Sequence, residues 1–174
     1  MRIDYRPEID GLRALAVMSV IFYHAEIYLY EEQFFKGGFI GVDIFFVISG
    51  YLITSLIYKE LIITNNFSFK NFYIRRIRRI IPILLFVIIL TIPFTYFFFW
   101  PSFLIDFANS VLNTILFTSN FYFYFTGQEY QALSGQLKPL LHTWSLSIEE
   151  QFYIIFPFCF YLLFKYLNKY ILFF

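Results

Sequence analysis

The stretch Ile80-Ile-Pro-Ile-Leu-Leu-Phe-Val-Ile-Ile-Leu-Thr-Ile-Pro-Phe-Thr-Tyr-Phe-Phe-Phe-Trp100 runs for 21 residues without a charge. A helix that crosses the hydrocarbon core needs about 20 mostly apolar residues. The stretch therefore predicts a membrane-spanning helix. Pro82 and Pro93 do not argue against it, because neighbouring helices can satisfy the carbonyls that a proline frees. Outward from it, residues 39–58 form a second such stretch, interrupted by Asp43. Residues 12–30 form a third, carrying Arg13, His24 and Glu26. Residues 144–164 form a fourth, with Glu149 and Glu150 in its first turns. The final Tyr170-Ile-Leu-Phe-Phe174 reads as one turn of another apolar segment, so a truncated chain is expected.

Composition agrees. Hydrophobic residues make up 60% of the 174 residues and charged ones 14%, against roughly 45–50% and about 25% in average globular proteins. The 27 Phe and 15 Tyr are more rings than a soluble domain of this size buries. Disordered chains are poor in aromatics, so disorder is excluded too. The single cysteine, Cys159, rules out a disulfide framework and a cysteine metal cluster. No His/Asp/Glu spacing suggests a metal site, and none is expected. A net charge of +1 gives no reason to expect a nucleic-acid partner. No glycine-rich phosphate loop is present.

Basic residues in short loops set the orientation. Residues 59–79 hold Lys59, Lys70, Arg75, Arg76, Arg78 and Arg79, so this connection is predicted to be cytoplasmic. The N-terminus, with Arg2 and Arg6, is then cytoplasmic, and the loop 31–38, with Lys36, faces outward. The first apolar run has no small-x-small cleavage site after it and is read as a retained span. Residues 102–120 are more polar. Asp106, Asn109, Ser110, Asn113, Thr114 and Asn120 recur mainly at spacings of three and four and form one stripe. That pattern predicts an interfacial or cavity-lining amphipathic helix. If the segment does not cross, Lys165 and Lys169 end on the cytoplasmic side. The predicted class is all-α: a polytopic transmembrane helical bundle of about four spans plus this amphipathic helix.

An ionisable group inside a span costs about 2.5–3.5 kcal/mol on insertion scales and is a functional candidate by default. Arg13 and His24 are eleven residues apart, which is about three turns and 20° and places them on one helical face. A neutral imidazole can accept and return a proton. An anchoring Arg and a His bonded to a neighbouring helix is the structural alternative. Asp43 lies in Gly41-Val-Asp-Ile-Phe-Phe-Val-Ile-Ser-Gly50, where it can pair with Arg13 or orient His24. Ser49 and Gly50 suit close helix packing. Arg75, Arg76, Arg78 and Arg79 stand directly before a span. They can hold phosphates in bidentate geometry, or only fix topology and bind anionic headgroups. The segment His142-Thr-Trp-Ser-Leu-Ser-Ile-Glu-Glu-Gln-Phe-Tyr153 gathers polar groups at a helix start, on the expected outer side. Ser147 and Glu150 have capping-box spacing. That leaves Glu149 without a structural task, four residues after Ser145 on a shared face.

Together these segments resemble the N-terminal half of the membrane-bound family-3 acyltransferases, which O-acetylate lipopolysaccharide O-antigen and peptidoglycan-related sugars. The matching pieces occur in family order: Tyr5-Arg-Pro-Glu-Ile-Asp-Gly-Leu-Arg-Ala-Leu-Ala-Val17, then Arg13-x10-His24, then Phe45-Phe-x-x-Ser-Gly50. The Arg-x-x-Arg element follows twice within Phe72-Tyr-Ile-Arg-Arg-Ile-Arg-Arg-Ile-Ile-Pro82, and the His142–Tyr153 signature closes the series. The resemblance implies that residues 1–174 are the N-terminal part of a single acyltransferase membrane domain. It implies a multi-pass protein of the bacterial inner membrane, in contact with its lipids, whose missing C-terminal half is a partner.

It also implies an activity. Acyl-CoA, with acetyl-CoA as the expected donor, would enter from the cytoplasm and be held at its phosphates by Arg75, Arg76, Arg78 and Arg79. An envelope carbohydrate would present a hydroxyl from outside, near His142, Ser145, Ser147 and Glu149. His24 would act as general base or as a transient acyl carrier, and both routes stay open. Arg13 would guide the pantetheine or balance Asp43. By the family pattern the acidic site residue is Glu149. A membrane transporter is a second reading of the buried His, Asp and Glu, although it does not need the Arg-rich element. An inactive remnant or a non-catalytic membrane partner is a third.

Overall fold

Pro7 at the first helical position, with Glu8 and Asp10 in the first turn, starts helix α1, Pro7–His24. Proline is pre-shaped for that position, and acidic side chains there complement the helix dipole. The computed structural model describes residues 6–30, 32–33, 35–126 and 137–167. Arg2, Tyr5, Glu31, Lys169 and the segment 170–174, used above, lie outside the described residues. After α1 come a two-stranded antiparallel hairpin, β1 (Tyr28–Leu29) and β2 (Glu32–Gln33), and then α2, Ile40–Thr64. Next follow α3 (Phe69–Phe98), α4 (Pro101–Ile115), α5 (Ser119–Phe125) and α6 (Thr143–Leu167). The class is the expected one, all-α.

Two compact units are present. The first holds residues 1–67 and the end of the chain from Phe160. In it α1 and α2 run antiparallel at very short range. A Cβ built on Gly41 would lie 2.4 Å from the Ala16 carbonyl oxygen, and one on Gly38 would lie 2.2 Å from that of Ser19. Only glycine lets the backbones approach so closely. The Arg6 guanidinium donates to the Tyr51 hydroxyl at 2.9 Å, joining the start of α1 to the middle of α2. Asn65, in the left-handed region at φ 53°, ends α2 with its N–H on the Leu61 carbonyl.

The second unit holds Ser68–Cys159. The Ser68 hydroxyl accepts the Asn71 N–H at 3.5 Å and caps α3. Helix α3 continues through both prolines. Leu84, Ile88, Phe107 and Leu140 form the core of the unit, with Val111, Phe117 and Leu146 against it. The Tyr73 hydroxyl donates to the Ile154 carbonyl at 2.9 Å, while Leu84 and Ile88 meet Leu140 and Leu146. Helix α6 therefore runs antiparallel to α3.

Among the described residues, three helices are long and apolar enough to cross a membrane: α2, α3 and α6. Four spans were expected. Helix α1, the first of the four, falls short of that length and composition on two counts. Helix α1 carries Glu8, Asp10 and Arg13 within 18 residues, and it stops at His24 instead of running to Tyr30. Glu26 adopts φ 47° and turns the chain into the hairpin. The Gln33 amide then donates to the Tyr23 carbonyl at 2.9 Å.

The connection 59–79 is not a loop either. Helix α2 reaches Thr64 and α3 begins at Phe69, so the arginines stand on a helix. Thirty residues at about 1.5 Å each make α3 roughly 45 Å long, well beyond a hydrocarbon core of about 30 Å. The surplus length carries the arginine turns out to the polar boundary. The faces of α3 beyond them expose Ile83, Phe86, Ile89, Phe94 and Phe97, as lipid contact requires.

Candidate functional site

In the first unit, Arg13 and His24 stand on one continuous helix. His24 Nδ1 lies 2.8 Å from the Val20 carbonyl oxygen. A carbonyl only accepts, so Nδ1 carries the proton of the neutral ring and Nε2 carries the lone pair. The ring is half-buried and packs edge-on against Tyr23, with centroids 5.1 Å apart. His24 is the last residue of α1 and so lies at a helix end, not deep within a span as expected.

Arg13 Nη1 sits 3.4 Å from Asp10 Oδ1, one turn earlier. Asp43 is exposed in the first turn of α2, and no ion pair joins it to Arg13 among the described residues. The expected Arg13–Asp43 pairing is thus replaced by a local one, because Asp10 is three residues away on the same face. Ser49 is buried on α2. Gly50 was expected to allow close packing, but a Cβ there would meet nothing within 4 Å. That role belongs to Gly38 and Gly41. Their three-residue spacing next to Gly37 was the available signal.

In the second unit α4 leaves α3 at Pro101 and folds back. Its 15 residues rise only about 22 Å, too short to cross. Phe117 at φ 54° reverses the chain, and the Thr118 hydroxyl donates to Asn113 Oδ1 at 2.9 Å. Helix α5 then returns along α4, with the Tyr122 hydroxyl on Asp106 Oδ1 at 2.5 Å. Part of the polar stripe predicted for 102–120 faces protein: Ser110 and Thr114 are buried, whereas Asn109 is exposed. The segment returns the chain to its own side, which is why α6 runs back toward the arginine end.

The turn between α4 and α5 docks on the start of α6 through hydroxyls and amides. Thr143 Oγ1 lies 2.9 Å from Thr114 Oγ1 and 3.1 Å from Ser119 Oγ. Ser147 Oγ lies 2.7 Å from Ser119 Oγ and accepts the Ser119 N–H at 3.3 Å. The Gln151 amide donates to the Phe117 carbonyl at 2.7 Å and to Asn120 Oδ1 at 3.0 Å. Ser147 therefore caps α5 and not its own helix. The expected Ser147–Glu150 capping box is absent because α6 already begins at Thr143. His142 is exposed at the start of α6, and Ser145 Oγ donates to its carbonyl at 3.1 Å.

The arginines divide. Arg75, Arg78 and Arg79 are exposed, whereas Arg76 is half-buried. Its guanidinium carbon lies 4.9 Å from the centre of the Tyr153 ring and 5.6 Å from that of Phe72. The Tyr153 hydroxyl donates to Glu149. Glu149 and Glu150 both lie within electrostatic reach of Arg76. Glu150 is buried, and its Oε1 has no hydrogen-bond partner among the described residues. Glu149 and Glu150 thus sit beside an arginine of the cluster. The expected separation, with phosphate ligands inside and the carboxylates outside, does not hold, because α6 starts partway along α3.

One cluster was not anticipated. Lys138 is buried, with Nζ 3.3 Å from Asp106 Oδ2 and over the rings of Tyr122 and Phe123 at 5.6 and 5.5 Å. Burial, reinforced by the hydrogen bond to Asp106 and by its charge, pushes the Tyr122 hydroxyl well above the ordinary tyrosine range. A lone lysine in Leu137-Lys-Pro-Leu-Leu141 was the signal that could have drawn attention to it.

A family profile described as "Acyltransferase domain" matches residues 6–174. The O-acetyltransferase OatA of Staphylococcus aureus strain NCTC 8325 is 42% identical over 153 residues, covering 88% of this chain and 24% of that protein. The peptidoglycan O-acetyltransferase OatA of Listeria monocytogenes serovar 1/2a is 43% identical over 153 residues, with the same coverage. The chain thus spans about a quarter of the length of these relatives. No solved structure matches.

Proposed function

The chain belongs to the acyltransferase family whose domain it matches over residues 6–174, and on that premise we propose that it moves an acetyl group from acetyl-CoA to a hydroxyl of an envelope carbohydrate. The length of the family match is the observation that supports this most directly. Of the two acceptor classes considered, peptidoglycan is favoured over lipopolysaccharide O-antigen, because one relative is named a peptidoglycan O-acetyltransferase. The protein works in the bacterial plasma membrane with its N-terminus and its arginine end in the cytoplasm, where CoA is available.

In this reading the exposed Arg75, Arg78 and Arg79 take the CoA phosphates. They suit that task because guanidinium forks bind phosphate oxygens in pairs. His24 Nε2 takes the proton of the acceptor hydroxyl. The hydroxyl oxygen bonds to the thioester carbonyl carbon, the C–S bond breaks, and the leaving CoA thiolate receives the proton. The Val20 hydrogen bond supports this role, since it leaves the lone pair on Nε2. Arg13 adds positive charge on the face that carries His24. Glu149, held by the Tyr153 hydroxyl, orients substrate donors in the second unit.

The test uses membranes holding the complete encoded protein and acetyl-labelled CoA. Label should pass to peptidoglycan fragments, with Arg78→Gln raising the acetyl-CoA KM more than it lowers kcat, as loss of uniform binding does. Label leaving CoA no faster than in membranes without the protein would overturn the reading.

A further inference from the structure

The four arginines of α3 differ in surroundings, and the difference assigns them different work. Three are exposed. Arg76 is half-buried, with its guanidinium against the faces of Phe72 and Tyr153. A guanidinium over an aromatic face keeps its plane and gives up water. Tyr153 is also the residue that donates to Glu149, so one ring carries the arginine on its face and the carboxylate on its hydroxyl. Glu150, three residues before Tyr153 and on the same helical face, is nine-tenths buried with one oxygen unpartnered among the described residues. A buried carboxylate needs a compensating cation.

We propose that Arg76 is a positioning residue and not a phosphate ligand: it compensates Glu150 and fixes the Tyr153 ring, whose hydroxyl in turn orients Glu149. Phosphate binding falls to Arg75, Arg78 and Arg79. The proposal rests on the acyl-transfer reading for its kinetic consequences, but the Arg76–Glu150 coupling can be measured without it.

The experiment compares Arg76→Gln, Arg76→Lys, Glu150→Gln, the double variant Arg76→Gln/Glu150→Gln, and Arg78→Gln, all in the complete encoded protein. Acetyl-CoA is the donor. Arg76→Gln should lower kcat by about tenfold or more while leaving the acetyl-CoA KM within about twofold, the pattern of a lost transition-state interaction. Arg78→Gln should do the reverse. Arg76→Lys, which keeps the charge, should recover part of kcat. Membrane abundance and thermal stability should be lower in Arg76→Gln than in the double variant, because removing both charges leaves no carboxylate uncompensated. An Arg76→Gln variant that raises KM as Arg78→Gln does would overturn the proposal. So would a double variant whose loss of stability is the sum of the two single losses. If no variant and no wild-type protein transfers acetyl, the acyl-transfer reading fails, and the stability comparison still decides the Arg76–Glu150 coupling.

Discussion

Lys138 Nζ lies 3.3 Å from Asp106 Oδ2, and the two side chains are unequally hidden: the lysine is 7% exposed and the aspartate 33%. The pair ties the folded-back α4 to the segment that leads into α6. Removing the aspartate leaves a buried ammonium without its partner, which typically costs about 3–5 kcal/mol. Removing the lysine leaves a partly solvated carboxylate that keeps the Tyr122 hydroxyl. Asp106→Ala should therefore destabilise the protein severely, and Lys138→Met by much less. Unfolding in detergent micelles measures both, and the opposite ranking would refute the argument.

Tyr122 gives a pH dependence. Its folded pKa is raised above the usual 10.0, first by burial and then by Asp106. The folded protein thus keeps a proton that the unfolded chain loses near pH 10. The contribution is complete below that pH and is lost as pH climbs toward the folded value. Melting temperatures should fall more steeply above pH 10 in wild type than in Tyr122→Phe. Parallel curves for the two proteins would show that Tyr122 contributes no such term.

Gly41 and Gly50 lie nine residues apart on α2 and should respond oppositely to alanine. Alanine favours a helix over glycine by about 1 kcal/mol. At Gly50 that gain stands alone, since a Cβ there meets nothing. At Gly41 the Cβ would press on the Ala16 carbonyl at 2.4 Å, and overpacking of this kind costs about 1–3 kcal/mol or more. Gly41→Ala should destabilise, and Gly50→Ala should be neutral or stabilising. Equal melting temperatures for the two variants would remove the close-packing account of α1 and α2.

His24→Ala should reduce acetyl transfer by about 10²–10⁴-fold, the usual loss for a general base, with membrane insertion intact. Acid quenching with labelled acetyl-CoA and no acceptor separates the two routes open to an imidazole. A general base leaves the protein unlabelled. Label retained on wild type and absent from His24→Ala would instead make His24 an acyl carrier.

Much of this architecture is written in the order of residues. Long, mostly apolar runs have one stable solution in lipid, a helix that satisfies its own backbone. Residues 39–58, 80–100 and 144–164 therefore announce α2, α3 and α6 without reference to anything distant. The family motifs are local as well, and the series from Arg13-x10-His24 to the His142–Tyr153 signature carries the resemblance to the family in the order of its residues. Charge counting also carried the arginine cluster to the end of a span.

Tertiary structure decided what depends on partners remote in sequence. Ser147 and Glu150 have capping spacing, yet a cap exists only where a helix starts, and the docking of Ser119, 28 residues earlier, gives Ser147 another bond. Arg13 and Asp43 have opposite charge, yet Asp10 is nearer. Four adjacent arginines look equivalent in a string, and the helix turns one of them toward Tyr153 and leaves three outside. Periodicity places a residue on a face, but it does not say what the face meets. The answer comes from α4 folding back after 15 residues, which sets α6 antiparallel to α3 and brings Glu149 and Glu150 within reach of Arg76.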